Sequence, residues 1–253
     1  MPLLDLRRVT MRFGGLTAVK ELDLAIEPRA LYGLIGPNGA GKTTIFNMIT
    51  GVYRPTAGEI RFDGRAIQGE KPWRITGYGI GRTFQNIRLF ADLSVLDNVK
   101  VAFAHRQRAS ILSAVTHGPV HRSEEERIER EANDLLRIFK LEGFAAETAR
   151  NLPYGSQRRL EIARAMATRP RLLCLDEPAA GMNPHEARDL MNLIRWIRDE
   201  FRMTILLVEH NMKVVMGVCE TVHVVDYGST ICVGTPADVQ KDPRTIEAYL
   251  GGA

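Results

Sequence analysis

Cysteine is scarce in this sequence, with three among 253 residues. Cys174, Cys219 and Cys232 include no CxxC pair, and their number is odd. This pattern argues against a disulfide framework and against a zinc site built from cysteines. We therefore expect reduced thiols, with Cys174 inside an apolar strand.

Long apolar runs are also missing. No stretch approaches the ~18 apolar residues that a membrane-spanning helix needs. The first letters, MPLLDLRRVTMRF, combine acid and base and lack the apolar stretch of a signal peptide, so we expect none. The net charge of +4 is mild and no basic tail is present, so we expect no nucleic-acid partner. Any membrane role is expected to be peripheral and to depend on a partner.

The N-terminal region has the alternating pattern of strands. Residues 3–9 and 20–27 alternate as half-buried antiparallel strands do, and residues 58–67 are typical of a hairpin that turns at Asp63–Gly64. The run ALYGLIG is continuously apolar and indicates a buried strand. A helical pattern follows it, and Gly51 is expected to end that helix.

The middle of the chain, residues 92–168, is mostly helical in pattern. A helix is predicted over 123–144, with Ser123 as its cap and an acidic first turn, after a loop at 113–122. RLLCLDEP and MTILLVEH then indicate two buried strands, with the amphipathic helix HEARDLMNLIRWIRDEF between them. This alternation predicts a parallel α/β sheet with ligand chemistry at the C-terminal ends of its strands.

The letters GPNGAGKTT, between a strand and a helix, fit G-x-x-x-x-G-K-[ST] in full. Gly39 and Gly41 let the backbone wrap closely around phosphate groups, and the amides of residues 39–44 face the anion at the positive end of a helix. Lys42 can reach the β and γ oxygens, and the Thr43 hydroxyl can complete a Mg²⁺ shell. The predicted nucleotide-binding residues are Asn38, Gly39, Ala40, Gly41, Lys42, Thr43 and Thr44.

Two carboxylates end the strand LLCLDEP. Asp176 can hold Mg²⁺ or its water shell, and Glu177, turned toward the γ-phosphate at Pro178, can act as general base on a water. Without the phosphate loop, the same pair would be interpreted as two solvated carboxylates. His210 ends another strand and is a candidate γ-phosphate contact, with a structural or solvated histidine as the alternative.

Two further candidates lie in apolar surroundings. Gln85 is polar inside an apolar stretch, and it can ligate Mg²⁺ or the attacking water. Phe13 can stack on a nucleotide base, and a core aromatic is the alternative.

The order of the phosphate loop, Gln85, LPYGSQRR, LLCLDEP and His210 resembles that of the ATP-binding-cassette (ABC) ATPases over essentially the whole chain. The resemblance implies one domain over 1–253. Its parts would be a P-loop NTPase (RecA-like) α/β core, an N-terminal antiparallel β subdomain and a helical subdomain inserted at approximately 92–168. The NKxD motif of GTPases and the long coils of SMC-type ATPases are absent from the sequence.

The resemblance also implies roles for individual residues. In the bound nucleotide, adenine would stack on Phe13, and the phosphates and Mg²⁺ would meet Lys42, Thr43 and Thr44. Gln85 would be the Mg²⁺ sensor, and Asp176 would be a carboxylate that holds the water shell of the metal. Glu177 would be the general base, and His210 would be the switch histidine. The signature that contacts the ATP of a partner subunit would comprise Leu152, Gly155, Ser156 and Gln157.

Segments such as RTFQNIRLFADLSVLDNV and GTPADVQKDPRTIEAYLG look like the ATP-binding subunit of bacterial branched-chain amino acid importers. This implies an ATPase that uses ATP and Mg²⁺ at the cytoplasmic face of the inner membrane. Implied partners are transmembrane permease subunits, a second ATPase subunit (identical or not) and, indirectly, a periplasmic substrate-binding protein. Cassettes for urea, short amides or lipopolysaccharide are alternatives, as is a soluble ABC ATPase acting on ribosomes or DNA.

Three positions depart from the family pattern. Pro153 replaces the signature serine and offers neither hydroxyl nor N–H, and Ser156, in place of glutamine, can cap the next helix or offer a hydroxyl. We expect a weakened signature that supports the partner's ATP poorly. Asn183 replaces the usual aspartate of the dimer-crossing loop and can be either a helix cap or an interface residue.

The expected permease groove is lined by Phe90, Leu93 and Val95.

Overall fold

The structure is a computed structural model that describes residues 1–103, 119–210 and 212–250. The chain divides into two compact units. The first combines residues 1–85 with the chain from residue 171 onward, and the second comprises residues 86–170.

Strands occur in the first unit and form two sheets. In the described residues they are β1 (Leu4–Phe13), β2 (Leu16–Ile26), β3 (Leu31–Ile35), β4 (Ala57–Phe62), β5 (Arg65–Ala66), β6 (Ile80–Arg82), β7 (Leu172–Asp176), β8 (Thr204–Val208), β9 (Thr221–Asp226) and β10 (Ser229–Gly234). The four-stranded sheet has the order β2-β1-β4-β5 and is antiparallel. Its hairpin turns at Asp63–Gly64, as the sequence predicts.

The six-stranded sheet has the order β10-β9-β3-β8-β7-β6. Its neighbours pair in parallel except for β10, which is antiparallel to β9. Every residue of β3, β7 and β8 is buried, which explains why these strands are almost entirely apolar in sequence. The predicted parallel α/β sheet is therefore confirmed, and Cys174 lies buried in β7.

The helices of the described residues are α1 (Lys42–Ile49), α2 (Pro72–Tyr78), α3 (Val95–Ala102), α4 (Pro119–Ile138), α5 (Tyr154–Ala167), α6 (Pro184–Glu200), α7 (Met212–Val218), α8 (Pro236–Lys241) and α9 (Pro243–Leu250). Gly51 has a φ of 76° immediately after the last turn of α1, the left-handed conformation that commonly ends a helix. Ile45, Phe46 and Ile49 of α1 are fully buried, so the helix that follows the phosphate loop is anchored in the core.

Arg82 fixes the far end of α1. Its guanidinium lies 4.8 Å from the centre of the Phe46 ring and donates hydrogen bonds to the side-chain oxygens of Asn47 and Thr50. These contacts join the edge strand β6 to α1, and they hold in place the helix that follows the predicted phosphate loop.

The second unit is helical and contains α3, α4 and α5, with short 3₁₀ turns at Glu142–Phe144 and Ala149–Asn151. The prediction of a helix capped by Ser123 is wrong, because α4 already includes Pro119 and continues past Ser123 to Ile138. Ser123 is tolerated inside the helix, where serine is only mildly unfavourable. The predicted loop at 113–122 is wrong for 119–122, which are helical, and its residues 113–118 lie outside the described part of the chain.

Candidate functional site

The loop between β3 and α1 has the backbone that its glycines allow. Gly39 and Gly41 have φ values of 82° and 98°, in the region that favours glycine. A Cβ at position 41 would lie 2.6 Å from the carbonyl oxygen of Ala18, so a larger residue would displace the loop from its neighbouring strand. The close packing of the loop backbone against Ala18 therefore requires a glycine at position 41, in addition to the predicted need for phosphate groups to approach the backbone.

Lys42 begins α1 and is buried despite its charge. Its Nζ donates to the carbonyl oxygens of Gly36 (2.6 Å) and Pro37 (2.8 Å). Burial lowers the pKa of Lys42, and the nearby carboxylates of Glu177 and Asp176 oppose that shift. The ammonium group is thus held inside the loop, surrounded by oxygens.

A cleft of about 400 Å³ opens over this loop. Its lining residues are Phe13, Leu16, Thr17, Ala18, Asn38, Gly39, Ala40, Gly41, Lys42, Thr43, Thr44, Gln85, Glu177 and Tyr227. The structure thus brings together Phe13, the whole predicted phosphate loop, Gln85 and Glu177, although their positions in the chain are far apart. Amides at a helix start beside a buried lysine are suited to polyphosphate.

Phe13 occupies the end of β1 and stays partly exposed. Its ring meets the edge of Tyr53, with the two ring centres 5.3 Å apart and the planes at 76°. Tyr53 fixes the orientation of the ring, and the exposed remainder borders the cleft, as stacking on a base requires.

Glu177 directly follows β7 and has a left-handed backbone, with a φ of 44°. Its two carboxylate oxygens have different partners. Oε2 accepts from Nε2 of Gln85 (3.1 Å), and Oε1 lies 3.2 Å from Nδ1 of His210. Its backbone N–H donates to the carbonyl of Val208 (2.9 Å), which fixes the turn. The side chains of Gln85 and His210, which the sequence selected separately, therefore both contact the Glu177 carboxylate.

Asp176, the last residue of β7, is buried beside this group. Its backbone N–H donates to Oγ1 of Thr83 (3.2 Å). Thr83 is not among the residues predicted from sequence. Neither is Glu209, which is buried and accepts from the N–H of Ala179 (3.3 Å). A signal for Glu209 was available, because a carboxylate at the end of the apolar strand MTILLVEH needs a hydrogen-bond donor.

The oxygen donors fit a magnesium ion. Thr43 is exposed in the first turn of α1 and carries a hydroxyl, and Gln85 and Asp176 add an amide and a carboxylate. Mg²⁺ prefers such hard oxygen ligands and usually keeps several waters beside one or two protein groups and the substrate phosphates. The described residues contain no cluster of three or more acid, histidine or cysteine side chains that could hold a metal ion.

The predicted signature lies in the second unit at the start of α5. Leu152 is buried, and Gln157 donates through Nε2 to the Leu152 carbonyl (2.9 Å). The proposal that Ser156 caps this helix is wrong, because Pro153 occupies the cap position and makes no side-chain hydrogen bond. Gly155 and Ser156 lie within the first turn, where their N–H groups have no intrahelical acceptor.

A buried ion pair in α5 was also missed. Arg158 Nη1 lies 2.7 Å from Glu161 Oε2, and both side chains are essentially inaccessible to solvent. The second oxygen of Glu161 accepts from the N–H of Arg88 (3.3 Å). The signature helix therefore holds the backbone that follows Gln85 in the chain.

Two predictions about exposed positions have different outcomes. Asn183 accepts from the N–H of Glu186, whose side chain accepts from the N–H of Asn183, so the capping function is confirmed. Phe90 and Leu93 are exposed, whereas Val95 is fully buried at the start of α3, so its assignment to a surface groove is wrong.

Across the described ranges, no helix combines the length and the apolar character needed to cross a bilayer.

Known proteins are similar to this chain in both sequence and fold. The family model described as "ABC transporter" matches residues 19–180, and that described as "Branched-chain amino acid ATP-binding cassette transporter" matches residues 229–253. The chain is 47% identical to the high-affinity branched-chain amino acid transport ATP-binding protein BraF of Pseudomonas aeruginosa, over 100% of this chain and 99% of BraF.

Two solved structures are similar to this chain. The ADP conformation of MJ1267, an ATP-binding cassette of an ABC transporter, has a TM-score of 0.86 at 29% identity, with 99% of each chain covered. A dimeric post-hydrolysis state of the cassette MJ0796, bound to ADP and Pi, has a TM-score of 0.78 at 25% identity over 92% of this chain and 98% of that one. With one family match over residues 19–180 and similarity to BraF over the whole length, this chain belongs to the ABC transporter family and is an ATP-binding ATPase subunit with a P-loop NTPase fold.

Proposed function

We propose that the protein is the ATPase subunit of an importer for branched-chain amino acids, and that the cleft over the phosphate loop is its hydrolytic site. The observation that carries the site assignment is the Glu177 carboxylate, held by Gln85 and His210 beside the phosphate loop. The cargo assignment is supported by the similarity to BraF and by the match of residues 229–253.

Binding begins at the phosphate loop. Lys42 and the amides of residues 39–44 hold the β- and γ-phosphates, and Phe13 stacks on adenine. Thr43, Gln85 and Asp176 are the residues that would hold Mg²⁺, which neutralises charge on the phosphate oxygens when bound. Asn38, Ala40 and Thr44 complete the lining around the phosphates.

Hydrolysis depends on Glu177. Its carboxylate accepts a proton from a water while the water oxygen attacks the γ-phosphorus and the bond to the β–γ bridging oxygen breaks, so ADP and phosphate result. Gln85 and His210 fix the two carboxylate oxygens, and His210 can also contact the γ-phosphate. Orientation before the reaction reduces the reorganisation that the transition state requires.

The complete transporter would contain further chains. A second ATPase subunit would receive the signature residues Leu152, Gly155, Ser156 and Gln157 at its ATP, and Pro153 would weaken that contact. Two permease subunits would place the protein on the cytoplasmic face of the membrane, and a periplasmic binding protein would deliver the cargo. The dimeric state of MJ0796 supports pairing of cassettes in this family.

The test is transport in a reconstituted complex. The protein, co-purified with the permeases encoded beside it, should drive ATP-dependent uptake of leucine, isoleucine or valine into vesicles. Lys42→Ala should abolish uptake and the ATP-induced thermal shift, because the phosphates lose their buried cation, whereas Lys241→Ala, in the exposed part of α8, should have neither effect. ATP-driven uptake of urea or a short amide in place of these amino acids would refute the cargo assignment. An undiminished thermal shift in Lys42→Ala would refute the site.

A further inference from the structure

Tyr227 occupies a turn position that disfavours it. Tyr227 and Gly228 join β9 to β10 and have φ values of 42° and 76°. Consecutive left-handed residues of this kind form a type I′ hairpin turn, whose first position favours asparagine, aspartate or glycine. The turn between β4 and β5 has nearly the same angles, 51° and 75°, and contains the favoured pair Asp63–Gly64. A bulky aromatic residue in this conformation is strained.

Packing does not account for the tyrosine. Tyr227 is 87% exposed. In the described part of the chain its ring has no aromatic or cationic partner, and its hydroxyl has no hydrogen-bond partner. The strain is therefore not compensated by burial or by a hydrogen bond of the side chain. Strained residues that the surrounding structure keeps in place are concentrated at functional sites, and this position calls for a functional explanation.

The backbone of the turn is fixed against the phosphate loop. The Gly228 N–H donates to the Ala40 carbonyl (3.0 Å), and the Gly228 carbonyl accepts from the Lys20 N–H (2.8 Å). A Cβ at position 228 would lie 2.5 Å from the carbonyl oxygen of Ala18. The turn packs so closely against the strand that contains Ala18 that a larger residue cannot replace Gly228 without moving the backbone. These contacts present the Tyr227 side chain at the cleft that Phe13 also lines.

We propose that Tyr227 is a second nucleoside-contacting side chain, whose ring packs on the base or ribose of the bound nucleotide. The proposal rests on the assignment of this cleft to ATP. A neutral aromatic ring suits the nucleoside half of the ligand, since the phosphates already have Lys42 and the loop amides. Phe13 and Tyr227 would then bind the nucleoside from two elements that are distant in sequence and both border the cleft.

The experiment measures dissociation constants of the full chain for Mg²⁺–ATP and for Mg²⁺–tripolyphosphate by calorimetry. Tyr227→Asn should raise the ATP constant about three- to ten-fold, the value of one aromatic contact, and leave the tripolyphosphate constant unchanged. Tyr227→Phe should bind both ligands as the wild type does, because it keeps the ring. Asp63→Asn, at the matched turn away from the cleft, should also leave both constants unchanged.

Stability separates this explanation from a structural one. Asparagine suits the turn, so Tyr227→Asn should unfold at the wild-type temperature or above it while binding ATP more weakly. An unchanged ATP constant in Tyr227→Asn would overturn the proposal, as would an equal loss for both ligands or a loss in Tyr227→Phe. Failure of the wild-type chain to bind either ligand would instead overturn the assignment of the cleft.

Discussion

At the scale of single residues, Glu177 concentrates the chemistry of the site. Its left-handed backbone costs on the order of 1–3 kcal/mol, and the hydrogen bond to Val208 and the side-chain contacts to Gln85 and His210 maintain it. The strain has a geometric consequence, since it turns the carboxylate out of the buried strand and into the cleft that holds Lys42.

We predict that Glu177→Gln lowers steady-state phosphate release by the assembled complex about 10²- to 10⁴-fold, because an amide cannot accept the proton of the attacking water. ATP binding should persist, since the phosphate loop is unchanged. Glu200→Gln, on the exposed end of α6, is the matched control and should retain the wild-type rate. A wild-type rate in Glu177→Gln would remove this residue from the base role.

At the scale of elements, α6 shows how a helix start is specified locally. Asn183 accepts from the N–H groups of His185 and Glu186, the Glu186 carboxylate returns a hydrogen bond to Asn183, and Pro184 follows the cap. This arrangement satisfies donors that the helix itself cannot pair. The resemblance also predicts an interface role for Asn183 in a dimer-crossing loop, so both roles can be tested together.

Asn183→Ala should reduce the free energy of unfolding by about 0.5–2 kcal/mol, because the cap donors lose their acceptor. Asn183→Asp keeps an acceptor and should match the wild type in urea unfolding. ATPase activity of the assembled complex is the second readout. Unaltered activity of Asn183→Asp supports a purely capping role, whereas an altered rate at unaltered stability indicates an interface role. Wild-type stability of Asn183→Ala would contradict the cap.

Local signals account for what the sequence predicted correctly. The phosphate loop, the strand before Asp176 and the cap at Asn183 are each specified by neighbouring residues. The failures involve tertiary context: Val95 is buried although it follows the exposed Leu93, and α4 begins before Ser123. Tyr227 was not predicted because its proximity to the phosphate loop depends on the hydrogen bond from Gly228 to Ala40, which is almost two hundred positions earlier in the chain.

At the scale of the whole molecule, a buried histidine links three strands of the six-stranded sheet. His223 on β9 lies 3.2 Å from the Tyr32 hydroxyl on β3 and 2.7 Å from Thr230 Oγ1 on β10. Burial lowers the pKa of His223 to about 4. Because these strands belong to the core of the first unit, protonation of this side chain is coupled to global unfolding.

The sign of the pH effect follows from the two pKa values. In the unfolded chain the imidazole binds a proton near pH 6.5, whereas in the folded chain it stays neutral down to about pH 4. The unfolded state therefore gains protons first as the pH falls below 6.5, and the protein loses stability between pH 6.5 and 4. Hydrogen bonds from Arg171 and Arg244 lower the pKa of Asp63 and of Asp242 from an ordinary value of 3.8 that already lies below this window.

Urea unfolding at pH 7 and pH 5 should therefore separate this histidine from the other groups. We predict that the protonation of His223 lowers the free energy of unfolding by about 2 kcal/mol from pH 7 to pH 5. The slope is at most about 1.4 kcal/mol per pH unit. His223→Gln should lower stability at pH 7, because it cannot keep both hydrogen bonds, and should show a pH dependence smaller by that amount. His185→Gln, at an exposed position on α6, should retain the wild-type dependence. Equal pH dependences of the wild type and His223→Gln would show that this histidine is not held neutral by the fold.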